Sequence, residues 1–350
     1  MKNFSKKTLP LLFGAALLLP PCFAGASTMR PAVGKHLLQA ESYLKTQNYA
    51  AALREVNAAS AVGGLSPDES LAIAQLRGAA EGGAGEYELA AQSYETVLAS
   101  GNEAAETRLL LIQAIAGFYD HAGDYAQTVA WVDKYVAAGG LDPQVRALAA
   151  QAEYAQGHYA AALQAVRHDG AGGTKLPEAE LQLAVSAAQK SADKQAYFEA
   201  LQALLKAYPS PAYWNAAITL VQEAPGFPDA LTLDAYRLRV ATNTLTTAGD
   251  YEDYAERAIL AGQPAEAKRV LDAGFTAGVL TAQTDAGHAA RLQALAGKTA
   301  AAVNVSAVPA SALDQAVATG RGFGKVPGFA EGRLDTPEAA LARLWAIARP

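Results

Sequence analysis

The 350-residue sequence predicts an all-α fold, a solenoid of stacked helical hairpins. Three observations lead there. Alanine, the strongest helix former, makes up about a quarter of the chain, whereas strands favour β-branched and aromatic residues. An anchor residue followed three positions later by a small residue recurs through the chain. Glycines recur just before these anchors, where a helix must end.

The first 26 residues stand apart. Lys2, Lys6 and Lys7 precede the apolar run LPLLFGAALLLPP, and Ala24-Gly25-Ala26 has the small-x-small form of a cleavage site. This pattern predicts a secretory signal peptide and a periplasmic or secreted mature chain. Cys22, the single cysteine, offers an alternative as a lipid-bearing residue, with Leu19 three positions before it but Pro21 immediately before it. Removing the peptide leaves 25 Lys+Arg against 34 Asp+Glu, a net charge of −9. An acidic chain without a basic stripe is a poor ligand for nucleic acid, whose affinity comes from phosphate neutralisation. No later segment has the roughly 20 apolar residues of a membrane span.

The repeat is read on the anchors Tyr49, Tyr87, Tyr125, Tyr159, Tyr197, Phe227, Pro264 and Thr299, spaced 30 to 38 residues apart. Three residues after them come Ala52, Ala90, Thr128, Ala162, Ala200, Ala230, Ala267 and Ala302. Nine before them come Ala40, Gly78, Ala116, Ala150, Ala188, Ile218, Ala255 and Ala290. Small residues at both places let two antiparallel helices approach closely. Larger ones at +4 and +7, such as Leu163 and Val166, fill the space to the next hairpin. Turn glycines are Gly85, Gly123, Gly157, Gly262 and Gly297, while Pro67, Pro143 and Pro177 introduce following helices. About eight hairpins result, over residues 27–308. Residues 309–350 hold a glycine-rich loop, GRGFGKVPGFAEGR, and a final helix. There Thr336 is the N-cap candidate, and Leu341, Leu344 and Trp345 share a face, as a cap over the last hairpin requires.

Ala40, Tyr43, Tyr49, Ala52 and Ala59, then Ala116, Tyr119, Gly123-Asp124-Tyr125 and Val132, carry a resemblance to the tetratricopeptide repeat (TPR) family. The C-terminal segment is similar to the ending of some exported repeat proteins of Gram-negative bacteria. The resemblance implies a right-handed superhelix whose first helices line a groove for a protein or an extended peptide. It implies groove slots at 15, 12, 8 and 5 residues before each anchor. These hold Leu37, Gln75, Leu110, Gln113, Asp120, Gln144, Gln151, Tyr154, Gln182, Gln189, Asn215 and Gln222. Amides both donate and accept, so a row of them suits the peptide groups of an extended partner of any sequence. Lys and Arg are missing from the middle slots, which disfavours a clamp for a terminal carboxylate.

Catalytic patterns are incomplete. Gly297-Lys298-Thr299 lacks the earlier glycine of a phosphate loop and is expected to be the turn of the last hairpin. Gly320-Arg321-Gly322-Phe323-Gly324-Lys325 lacks the hydroxyl residue after its lysine. Glu41-Ser42 resembles the catalytic pair of soluble lytic transglycosylases, but the Gly-Leu-Met-Gln-like segment that follows it there is absent. The histidines 36, 121, 158, 168 and 288 form no HExxH pair, and no cofactor or metal is expected. Asn304-Val305-Ser306 is a glycosylation sequon that counts only in a eukaryotic pathway. The expected protein is a non-catalytic scaffold of the bacterial cell envelope. The alternatives are a glycan-acting envelope enzyme using Glu41, Asp120, Glu252 or Glu256, and a structural subunit of an envelope assembly.

Overall fold

The computed structural model describes residues 29–101, 103–170, 175–281, 286–302, 323–327, 329–331, 334 and 336–349. The signal segment, Cys22, the sequon and Gly320 lie outside the described residues. Among the described residues there are sixteen α-helices and no strand. The chain divides into two compact units, meeting in sequence at Leu176 and Pro177.

Unit 1 is four hairpins. They pair α1 (Pro31–Lys45) with α2 (Tyr49–Ser60), α3 (Pro67–Ala84) with α4 (Tyr87–Ala99), α5 (Ala105–Ala122) with α6 (Tyr125–Ala137), and α7 (Pro143–Ala155) with α8 (Tyr159–Gly170). Each second helix begins at its expected anchor. Each also packs on the first helix of the next hairpin, α2 on α3, α4 on α5 and α6 on α7. The expected crossing positions are the tightest places in the unit. Ala40, Ala52, Ala90, Ala116, Thr128, Ala150 and Ala162 have no exposed surface. Gly78 stands against the Tyr94 ring so closely that a Cβ would overlap it. Gly85, Gly123 and Gly157 end their helices with φ near +80°, a conformation glycine adopts without strain. Asn48 and Asp124 then accept the N–H of Ala51 and Gln127, capping the second helices. His158 occupies the same turn slot. It is exposed, and its Nδ1 lies 2.8 Å from Glu153 Oε2, as a solvated turn residue should.

The start of unit 1 is tied down by one buried carboxylate. Glu69 accepts from the backbone N–H of Arg30 and, at 2.7–3.1 Å, from its guanidinium Nε and Nη2. It also closes a capping box with Ser66 at the start of α3. The Arg30 guanidinium and then the Ser66 N–H hold its pKa down to about 2, below the ordinary 4.5.

Unit 2 contains α9 (Glu178–Lys190), α10 (Lys194–Ala207), α11 (Pro211–Gln222), α12 (Thr232–Ala241), α13 (Ala248–Leu260), α14 (Pro264–Thr276), α15 (Ala286–Ala302) and α16 (Pro337–Ala348). The pairs α9/α10 and α13/α14 are close hairpins like those of unit 1, and α14 packs on α15. Two expectations are corrected. Helix α15 runs unbroken through residues 297–299, so Gly297-Lys298-Thr299 is no turn and the eighth hairpin is a single helix. Its buried small residues are Ala289 and Ala296, while the expected Ala290 is exposed. The final helix exists, but it packs on α10, α11 and α12 rather than on the last hairpin.

That placement has a local cause. The sixth hairpin carries Ile218 where others carry alanine or glycine, and its Ala230 sits exposed in a 3-10 turn, Asp229–Leu231. Helices α11 and α12 therefore touch much less than other hairpin partners, and α16 packs against both. Ala339, Ala340, Leu341, Ala342, Leu344 and Trp345 are all buried, on more than one face of the helix. The Leu334 N–H donates to Gln195 Oε1 of α10 at 2.8 Å and fixes the approach.

Three outcomes follow. Gly78→Ala gains about 1 kcal/mol of helix propensity but overpacks a rigid ring, so denaturant titration will show a net loss of about 1–2 kcal/mol. Trp345, 1% exposed, is part of the core of unit 2. Trp345→Ala will cost about 3–5 kcal/mol, with amide exchange accelerating in α10–α12. Because the Glu69 pKa is lowered on folding, its stabilisation is complete above pH 4.5 and fades as pH falls toward 2. The melting temperature of Glu69→Gln will therefore lie below wild type at pH 7, and the two will converge at about pH 2.

Candidate functional site

The first helices of unit 1 also touch one another, α1 with α3 and α5 with α7. Gln75 of α3, Gln113 of α5 and Gln151 of α7 are half-buried, and Gln144 is exposed at the first turn of α7. None of these four side chains makes a hydrogen bond among the described residues. On α5, Leu110 and Asp120 fall on the Gln113 stripe by helical spacing. Leu110 is 40% exposed. Asp120 is half-buried, and burial pushes its carboxyl pKa up against a small opposing effect of His121. Tyr154 sets its ring edge against Tyr159, centroids 5.3 Å apart.

Leu37 is a correction. It has no exposed surface and packs with Val33, Ala40, Val56, Ala59 and Ile73, so it is a core residue and no groove contact. The slot counted from the anchor falls on the inward face of α1.

In unit 2 the expected amides are mostly engaged. Gln182 donates to Glu178 Oε1 and to the Tyr213 hydroxyl. Asn215 and Gln222 accept from Arg239 at 2.6 and 2.8 Å, and Thr219 between them accepts at 3.2 Å. Arg239 belongs to α12, a second helix, and slot counting along first helices could not find it. Gln189 is exposed.

The acids considered for catalysis lie on α1, α5 and α13. Glu41 pairs with Lys45 at 2.8 Å. Glu256 is exposed, and Glu252 has one carboxylate oxygen buried without a hydrogen bond. No group of three potential metal ligands converges among the described residues, and no described helix is long and apolar enough to cross a membrane.

A second polar concentration, absent from the sequence reading, lies in unit 2. Glu266 of α14 accepts from Arg237 Nε and Nη2, each at 2.8 Å, and from the Tyr254 hydroxyl at 2.6 Å. Burial opposes its ionisation, but these bonds outweigh burial and hold its pKa below the usual range. Arg237 also donates to Asp234 at 2.8 Å. The only advance signal was the clustering of tyrosine and charge in α12 and α13.

No family model and no curated protein matches the chain. Among solved structures it is similar to the TPR2AB domain of yeast Sti1 in its pHSP90 complex. The two are 18% identical, with a TM-score of 0.40, over 77% of this chain and 98% of that one.

Proposed function

We propose that this chain is an exported, non-catalytic scaffold that binds an extended segment of another protein along the first helices of unit 1. One observation supports the reading: Gln75, Gln113, Gln144 and Gln151 lie on three successive first helices with their amides uncommitted. An extended chain presents a donor and an acceptor at every residue, and these amides match both. Leu110 and Tyr154 add apolar contact. Asp120 adds a carboxylate for a partner's N–H or cation. The row has no structural duty that would otherwise account for it, in contrast to Asn215 and Gln222.

Export rests on the basic, apolar and small-residue order of residues 1–26. Cleavage after Ala26 leaves Arg30, and so the Glu69 anchor, in the mature chain. Lipidation at Cys22 would instead hold the same scaffold at a membrane surface.

The double variant Gln113→Ala/Gln151→Ala tests the row. Two lost hydrogen bonds predict about tenfold weaker binding of a partner segment crosslinked to the mature chain in its native envelope. The thermal transition should stay within experimental error of wild type. Unchanged affinity would remove the amide row from the mechanism.

A further inference from the structure

Unit 2 holds a cavity of about 300 Å³ between α12, α13 and α14. It uses the second helices of two hairpins and is separate from the amide row. One wall is aliphatic, made of Val240, Leu245 and Val270, and Tyr251 and Tyr254 supply aromatic surface. Two charges of opposite sign line the same space. Glu266 is the anion, with its side chain 13% exposed. Its three accepted bonds leave a carboxylate lone pair open, since such a group can accept about four. Arg237 pairs with both Glu266 and Asp234, each at 2.8 Å. Arg269 is the cation. It is exposed, makes no ion pair or side-chain hydrogen bond among the described residues, and lies near enough to Glu266 to lower its pKa. Asn243 lines the same cavity and offers an amide, from a left-handed backbone (φ +55°) that asparagine adopts more readily than most residues.

A ligand that satisfies every wall needs a carboxylate for Arg269 and Asn243, an N–H cation for Glu266, and an apolar body between them. The volume sits at the lower end of small-molecule sites, about 300–1,000 Å³. We infer that this cavity binds a free apolar α-amino acid as its zwitterion.

The probe is L-leucine, titrated into the mature protein by calorimetry and followed by chemical-shift changes in α12–α14. Saturable binding is expected. Leucinamide, lacking the carboxylate, and 4-methylpentanoate, lacking the amine, should each bind at least about tenfold more weakly, the worth of one charge-assisted hydrogen bond. Arg269→Gln alters an exposed side chain and should keep the fold by circular dichroism while weakening leucine at least about tenfold. Tyr251→Ala, at the cavity wall, should weaken leucine without changing the ranking of the analogues. No saturable leucine binding at 10 mM (about the limit for a weak ligand) would overturn the inference, as would undiminished binding by folded Arg269→Gln. N-acetyl-L-leucine keeps an N–H but no ammonium. If it bound as tightly as leucine, the site would read a peptide end, and the free amino acid assignment would fall.

Discussion

Everything in this chain depends on how closely two helices can approach at one crossing point. Where alanine, threonine or glycine occupies both sides, the backbones meet and the residues vanish from the surface, as Ala40 and Ala52 do. The close crossing brings larger side chains at +4 and +7 into register with the next hairpin, where Val56, Val132 and Leu204 are buried. A lone hairpin has no second surface for those side chains, so the crossing and the stacking stabilise each other. The sixth hairpin shows the converse. Ile218 needs more room than alanine, and α11 and α12 stand apart. The opening is apolar and too costly to leave to water, and Leu341, Leu344 and Trp345 occupy it. The loosely paired α11 and α12 are thus the helices on which the C-terminal helix lodges.

This explains which parts of the fold were legible in the sequence. Crossing residues, positive-φ glycines and helix-opening prolines act locally, and six of the anchors fall in or beside the turn between two helices, while Tyr197 lies inside the first turn of α10. Gly297 misled because glycine inside a helix costs only about 1 kcal/mol, and here its neighbours Ala294, Ala296 and Ala300 are strong helix formers. The lodging of α16 was unreadable for a different reason. An amphipathic face says that a helix needs a partner, but only the tertiary gap left by Ile218 says which one. The groove list had the same limit. Slot counting assigned Gln75, Gln113 and Gln151, which are half-buried, to a groove, and failed for Leu37, whose slot turns into the core.

The two sets of amides differ in what a ligand would have to displace. Asn215 and Gln222 already receive a guanidinium, and a peptide would have to break those bonds to use them. Of the unit 1 glutamines, Gln75, Gln113 and Gln151 are half-buried and Gln144 is exposed, near enough to solvent to bond water at little cost yet fixed on packed helices. Replacing water by a peptide group there is close to an even exchange of hydrogen bonds, so each amide contributes modestly. Such a row favours recognition of backbone over side chain and gains affinity by repetition.

Rigidity is distributed to match. Arg30 and Glu69 secure the first hairpin against fraying, the end at which a stack has only one neighbour. In unit 2, the half-buried Glu266 carboxylate held by Arg237 and Tyr254 performs a related task at the junction of α12, α13 and α14. An ion pair in such a place adds little net stability over a packed apolar pair, because desolvation offsets the attraction. What it adds is direction. Glu266 satisfies its donors in one arrangement of three helices, and the cavity beside it keeps its shape only in that arrangement. Polar residues thus appear in this alanine-rich chain where position must be fixed, and alanine where helices need only come close.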